Sequence, residues 1–262
     1  MSLPDEDFWE GIRLRPKVSP RVAPAQRLLR WASEFDPSPV VVLKGAPSKR
    51  AEAYAWLRQR QAPLLGRDGW LGIGAFEDFA FHVSRIGGDW NLLWSLCDVE
   101  DFVVDEPLRG MIDRGTQYTE LFRAIWEIRF LLDEGLDVRP HVEAFTHWLT
   151  EGEDSELLRG LHIGSRSLSV HQRIDLLLFL LALAQQNSLV DAPIFVFDGL
   201  ERATAQDTPV KGLLHGLVEI VEAVESWTSL GSPAGIIVGI SPGGVLKSLR
   251  KHNPKLVRLL GS

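Results

Sequence analysis

The chain has 262 residues, 45% of them hydrophobic and 24% charged, with a formal net charge of −7. This composition supports one large or two small folded domains and excludes a disordered tail, a collagenous repeat and a coiled coil. The lone cysteine, Cys97, excludes an internal disulfide and a multi-cysteine zinc site, and it favours a reducing compartment.

Seven histidines are present, but His141 and His147 stand six apart, which is not the spacing of two zinc ligands on a helix. The longest apolar stretch, Leu176–Ala184, is about half a membrane span, and the acidic start MSLPDEDFWEG lacks a signal-peptide core. These features predict a cytoplasmic protein with no membrane contact. The net charge excludes a protein that coats nucleic acid with its whole surface, while leaving room for a local basic patch.

Residues 1–23 carry Pro4, Pro16 and Pro20 and read as an extended arm. From Gly11 to Ser33 six cations stand without an acid: Arg13, Arg15, Lys17, Arg21, Arg27 and Arg30. They form either a solvated arm on an acidic body or an arm that touches phosphate. A helix is predicted over 24–35, with Pro24 in its first turn. Val40–Leu43 is a short β-branched strand, followed by the loop Lys44-Gly45-Ala46-Pro47-Ser48-Lys49-Arg50 and a helix over 51–61. A second strand is expected at 70–76.

Residues 77–150 carry helical patterns, the clearest at 119–134 and 139–150, with Trp90, Trp94, Trp126 and Trp148 read as core. Ser169 is a candidate N-cap for an apolar helix over 170–186. Ile194–Phe197 is a buried strand ending in Asp198, followed by a helix over about 210–227 and a strand over 234–240. A short helix over 245–252 and a last strand over 255–260 complete the pattern. Strands alternating with helices, each strand apolar on both faces, predict a mostly parallel sheet.

Strand, glycine-containing loop and helix is the order of a phosphate-binding unit, G-x-x-x-x-G-K-[ST]. If Lys49 reaches phosphate, Gly45 lies two residues too close, Ser48 replaces the second glycine, and Arg50 replaces the hydroxyl that holds Mg²⁺. An ordinary strand-to-helix turn remains the alternative. Asp198 sits at the carboxyl end of a buried strand, where open α/β sheets bind ligands and where P-loop ATPases order Mg²⁺. Glu201 is the available second carboxylate. The alternative for Asp198 is a helix N-cap.

Gly239-Ile240-Ser241-Pro242-Gly243 spells a nucleophile elbow, G-x-S-x-G. Pro242 cannot donate the backbone N–H an oxyanion hole needs, and no acid follows Ser241, so a hydrolase is excluded. From Pro242 to Ser262 five cations again stand without an acid: Lys247, Arg250, Lys251, Lys255 and Arg258. They form either a cationic surface or a contact for nucleic-acid phosphate.

This order resembles the ATPase core of the AAA+/STAND division of P-loop proteins. Within it, Trp148-Leu149-Thr150-Glu151-Gly152-Glu153, Leu157-Leu158, Leu161-His162-Ile163-Gly164 and Phe197-Asp198-Gly199-Leu200-Glu201-Arg202 look like the origin-recognition-like ATPases. Those include the ATP-binding proteins of BREX-type phage-defence loci. The resemblance implies a three-layer α/β fold with a mostly parallel P-loop ATPase-like sheet of about five strands. It places an arm over 1–23, the α/β domain over 24–262, and a helical insertion at about 77–165.

The resemblance also implies a nucleotide site of Gly45, Ser48, Lys49, Arg50, Asp198 and Ser241. Asp198 would hold Mg²⁺, Glu201 would position water, and Ser241 would serve as the polar residue at the tip of the strand beside Asp198. The short loop and the missing helical lid imply weak or absent binding of ATP and Mg²⁺.

Two functional expectations follow. The first is a degenerate ATPase-fold protein acting as a binding or scaffold module in a DNA transaction such as replication loading, phage biology or defence. It would have a protein partner, with DNA reached through Arg13, Arg15, Lys17 and Arg21 and through Lys247, Arg250, Lys251, Lys255 and Arg258. The second is an active Mg-ATP-dependent switch. A purely structural pairing of Lys49, Arg50 and Asp198 across the old pocket is a further possibility.

Overall fold

A computed structural model of the chain describes residues 13–15, 24–35, 38–60, 64–65, 79–80, 83, 92–150, 156–161, 163, 168–203, 210–243, 247, 250 and 253–260. In chain order the elements are β1 (Arg13–Arg15), α1 (Pro24–Glu34), β2 (Val40–Lys44), α2 (Pro47–Arg58), β3 (Leu64–Leu65), α3 (Leu92–Cys97) and α4 (Glu106–Arg114). Then follow α5 (Thr116–Asp133), α6 (Arg139–Thr150), α7 (Glu156–Gly160), α8 (Val170–Gln186), β4 (Ile194–Phe197), α9 (Leu200–Ala203), α10 (Val210–Ser229), β5 (Gly235–Ile240) and α11 (Pro254–Leu259). The protein is mixed α/β and divides into two compact units: Met1–Asp78 with Ala192–Ser262, and Phe79–Asp191.

The first unit holds one sheet of strand order β1-β2-β5-β4-β3. Its centre is three parallel strands, with Val42 opposite Val238 across β2 and β5, and Phe195 opposite Ile236 across β4 and β5. The two-residue β3 extends it in parallel on β4, and β1 closes the other edge antiparallel to β2. Parallel strands need both faces covered, which is why β4 and β5 are apolar at every position and buried throughout.

Alternate strand residues Val41, Leu43, Ile194, Val196 and Ile237 form one core with Leu28, Trp31 and Phe35 from the α1 region. Ala53, Tyr54, Trp56 and Leu57 of α2 complete it. At roughly 25 cal/mol per Å² of apolar surface, each large side chain here contributes about 1.5–3 kcal/mol toward offsetting chain entropy.

The second unit is helical. Its most apolar helix, α8, starts where the side chain of Ser169 accepts from Gln172 N and Gln172 reaches back to Ser169 N, a reciprocal capping box. This unit runs through Asp191 and so takes in α8, beyond the insertion of about 77–165 expected from the sequence. Of the tryptophans expected to be mostly core, Trp148 is buried, whereas Trp126 is 47% exposed.

Two further readings change, and a third lies beyond the described residues. Residues 254–259 form a helix, not a last strand: Asn253 caps it by accepting from Leu256 N at 3.0 Å, and Pro254 occupies its first turn. The helix after β2 begins at Pro47, so only Gly45 and Ala46 separate strand from helix. The strand expected at 70–76 lies outside the described residues, and Leu64–Leu65 is the strand paired to β4. Among the described residues, no helix is long and apolar enough to cross a membrane.

Candidate functional site: a guanidinium held at the strand ends

Three chain segments meet at the carboxyl ends of the parallel strands: Gly45 to Tyr54 after β2, Asp198 to Glu201 after β4, and Ser241 after β5. The Gly45 N–H continues the ladder to Ile240 O at 3.0 Å, which brings the end of β2 level with Ser241. Pro47 in the first turn of α2 fixes the start of the helix and directs Arg50 inward, where its side chain is 1% exposed.

All five N–H bonds of the Arg50 guanidinium are used. Nε donates to Asp198 Oδ1 at 2.6 Å, and Nη2 donates to Asp198 Oδ2 at 3.3 Å and Glu201 Oε1 at 2.8 Å. Nη1 donates to the Gly45 carbonyl at 2.8 Å and to Ser241 Oγ at 3.2 Å. Arginine offers five donors in a planar fork, so this cation is fully satisfied without a ligand.

The acceptors are held in turn. Ser241 Oγ donates to Glu201 Oε1 at 2.6 Å, and Ser241 N donates to Glu201 Oε2 at 3.0 Å. Tyr54, one helical turn beyond Arg50, donates its hydroxyl to Asp198 Oδ1 at 2.6 Å.

The backbone leaves room for this arrangement at two glycines. A Cβ on Gly239 would fall inside the contact distance of the Asp198 carboxylate and 2.5 Å from the Tyr54 hydroxyl oxygen. Gly199 has φ +81°, a left-handed conformation that disfavours a side chain, and its N–H donates to Gly239 O at 3.2 Å. An acid beside Asp198 would therefore be strained.

The electrostatics follow from burial and pairing. Burial disfavours the charged guanidinium, but the hydrogen bonds to Asp198 and Glu201 outweigh it and raise the Arg50 pKa. Burial likewise pushes the Glu201 carboxyl up, yet hydrogen bonds from Ser241 and Arg50 prevail and hold its pKa below the usual value. Tyr54 is raised well above the usual tyrosine value, first by burial and then by the charge of Asp198 beside it.

The predicted site residues divide accordingly. Gly45, Arg50, Asp198, Glu201 and Ser241 come together; Gly45 takes part through its carbonyl. Ser48 is exposed, and Lys49 Nζ lies 3.2 Å from Glu52 Oε2 on the surface of α2. Tyr54 carries no role in the sequence reading, and Gly239 figures there only in the G-x-S-x-G run, not as the place where Asp198 and Tyr54 fit. The signal for Tyr54 was available: a hydroxyl-bearing aromatic four residues after an inward-facing arginine.

Of the basic ends, Arg13 and Arg15 lie on β1, and Lys17, Arg21 and Lys251 fall outside the described residues. Lys247 and Arg250 are exposed, Lys255 Nζ pairs with Glu222 at 2.7 Å, and Arg258 Nε reaches Pro254 O at 3.5 Å.

A Mg²⁺-bound nucleotide does not fit these residues as they stand. Mg²⁺ needs oxygen ligands in octahedral array, and both nearby carboxylates already accept from Arg50. Among the described residues there is no group of three His, Cys, Asp or Glu that could hold a metal ion. The arrangement can clasp three segments together, but it presents no activated nucleophile: the Ser241 hydroxyl donates to a carboxylate that is itself paired. No protein-family model, no curated protein and no solved structure matches the chain.

Proposed function

We propose that the chain is a P-loop ATPase-fold binding module, of the AAA+/STAND type, whose nucleotide site is closed by its own Arg50. In this reading the guanidinium takes the place of Mg²⁺ and the terminal phosphate between Asp198 and Glu201. The five-fold engagement of Arg50 carries the reading.

The strand order supports it as well. β5 lies between β2, which leads into the loop, and β4, which leads into Asp198, so Ser241 stands at the tip of the strand beside the acidic one. With the site occupied from within, the protein acts by binding partners in a DNA transaction, as a scaffold in the cytoplasm, and not by turnover.

The test is the melting temperature with and without Mg-ATP. A ligand at a hundred times its dissociation constant adds about 2.7 kcal/mol of stability. The expected result is an unchanged melting curve and no phosphate release. A Mg-ATP stabilisation that Lys49→Ala abolishes would instead assign Lys49 to phosphate and make the chain an active switch.

A further inference from the structure

The helical unit carries an aromatic face that its own core does not use. On α5, Phe122, Trp126 and Phe130 recur every four residues and share one side of the helix. Phe102 packs against the first two, tilted to Phe122 with ring centroids 6.2 Å apart and edge-on to Trp126 at 6.0 Å. Trp126 is 47% exposed, Val103 55% and Phe130 60%. Large apolar side chains grouped at a surface mark an interaction site more often than scattered ones do.

The face is held rigidly. Arg129 lies over the rings of Phe102 and Trp126, 5.4 and 5.2 Å from their centroids. The same guanidinium donates to the carbonyls of Leu96 and Cys97 at 3.3 and 3.2 Å, fixing the turn that follows α3. Asn187 clamps Val103 from both sides: its Oδ1 accepts from Val103 N at 2.7 Å and its Nδ2 donates to Val103 O at 2.9 Å. A pre-ordered surface loses little entropy when it binds.

The segment that supplies Phe102 and Val103 is strongly acidic. Asp98, Glu100, Asp101, Asp105 and Glu106 are all exposed, and no base occurs from residue 98 to residue 106. This charge selects the occupant. A second copy that met this face with its own equivalent face would set these five acids against their own kind, which is repulsive. A helix bearing lysine or arginine beside its apolar stripe satisfies both parts of the surface, and a helix face offers ridges and grooves that another helix can fill.

We propose that Phe102, Val103, Trp126 and Phe130 form a docking surface for a basic amphipathic helix of a partner protein. The test uses the full chain and a fluorescein-labelled 14-residue Leu/Lys peptide with helical amphipathic order, read by anisotropy. Two control peptides accompany it: one of the same composition in scrambled order, and one with every Lys replaced by Glu.

The expected result is saturable binding of the ordered Lys peptide alone. Phe130→Ser combined with Val103→Ser should weaken it at least about tenfold, as loss of a central anchor does. Asp101→Ser with Glu100→Ser should weaken it less and reduce its salt dependence. Leu230→Ser, in the other unit, should leave it unchanged. Because Phe130 and Val103 are exposed, the variants should melt as the parent does.

Equal binding of the scrambled peptide, or unaltered binding by the Phe130/Val103 variant, would overturn the proposal. So would a concentration-dependent dimer in sedimentation that this variant abolishes, since the face would then belong to a second copy.

Discussion

Arg50 Nε and Asp198 Oδ1 lie 2.6 Å apart although 148 residues separate them in the chain. The strands that precede them, β2 and β4, are not neighbours; β5 lies between. The pair therefore spans the end of the central strand, and Ser241 and Glu201 fill the gap with hydrogen bonds of their own. Such a cluster stabilises only when complete, because removal of any member leaves a buried charge or donor without its partner.

Asp198→Ala should be among the more damaging single changes in the first unit. Breaking a buried ion pair typically costs about 3–5 kcal/mol, and the remaining bond from Arg50 to Glu201 places this case toward the lower figure. Urea unfolding should show a lower midpoint. An apolar double replacement, Arg50→Met with Asp198→Leu, should be milder than the sum of its singles. An Asp198→Ala midpoint equal to the parent's would make the carboxylate a mere solvated loop acid.

The pH dependence has a defined sign at each end. The Glu201 pKa is lowered in the folded protein, so its contribution is present above the ordinary value near 4.5 and is lost as pH falls through the folded pKa. Glu201→Gln should flatten this acid limb. The Tyr54 pKa is raised, so its contribution is present below about 10.0 and is lost as pH rises beyond that. Tyr54→Phe should flatten the alkaline limb. Melting temperatures across pH, for parent and both variants, check the two signs separately.

Gly239→Ala adds one methyl group near the carboxyl end of β5, where alanine is ordinarily tolerated. Here the methyl group meets the Asp198 carboxylate and the Tyr54 hydroxyl. Overpacking of this kind costs roughly 1–3 kcal/mol, and displacing Asp198 adds the loss of its bonds to Arg50. The variant should melt lower than the parent by several degrees, and combining it with Asp198→Ala should cost less than the two changes added. Strict additivity would mean that the methyl group is accommodated without touching the cluster.

Duplex DNA, if bound through the basic ends, is bound without base readout and with a steep loss on adding salt, about 0.9 counterions per neutralised phosphate. The cationic segments 11–33 and 242–262 carry +11 and the whole chain −7, so the remainder carries −18 and repels phosphate. Lys247 and Arg250 are exposed, whereas Lys255 is paired with Glu222. Replacing Lys247 and Arg250 by Ala should therefore lower the salt slope more than Lys255→Ala does. Absence of binding at low salt would show that the basic ends are not a nucleic-acid site.

Much of the first unit was legible in the sequence. The apolar runs Val40–Leu43 and Ile194–Phe197 announce buried parallel strands, and Asp198 ends such a run, so its place at the strand tips followed. In the second unit, Ser169 as a candidate N-cap announced the start of α8; the reciprocal part of Gln172 did not enter that reading. The partners within the site were less legible, because spacing shows which face a residue occupies but not what lies opposite it across 148 residues. The pairing of Arg50 with Asp198 was one of several readings, and Tyr54 was hidden among core aromatics. Residues 255–260 misled because Leu-Val and Leu-Leu runs suit either a strand or a short helix; Asn253 and Pro254 decide for the helix.

The strand order also bears on when the first unit can take shape during synthesis. β5, the last strand to be made among the described residues, is the one to which both β2 and β4 hydrogen-bond. Until residues 235–240 leave the ribosome, β2 can pair only with β1 and β4 only with β3, and the edge that each presents to β5 stays open. The helical unit, Phe79–Asp191, is one continuous stretch of chain and is synthesised before β5. Nascent chains should thus carry a folded helical unit and a sheet still split into two halves, a state whose exposed apolar surface and open strand edges are prone to aggregation and attract chaperones.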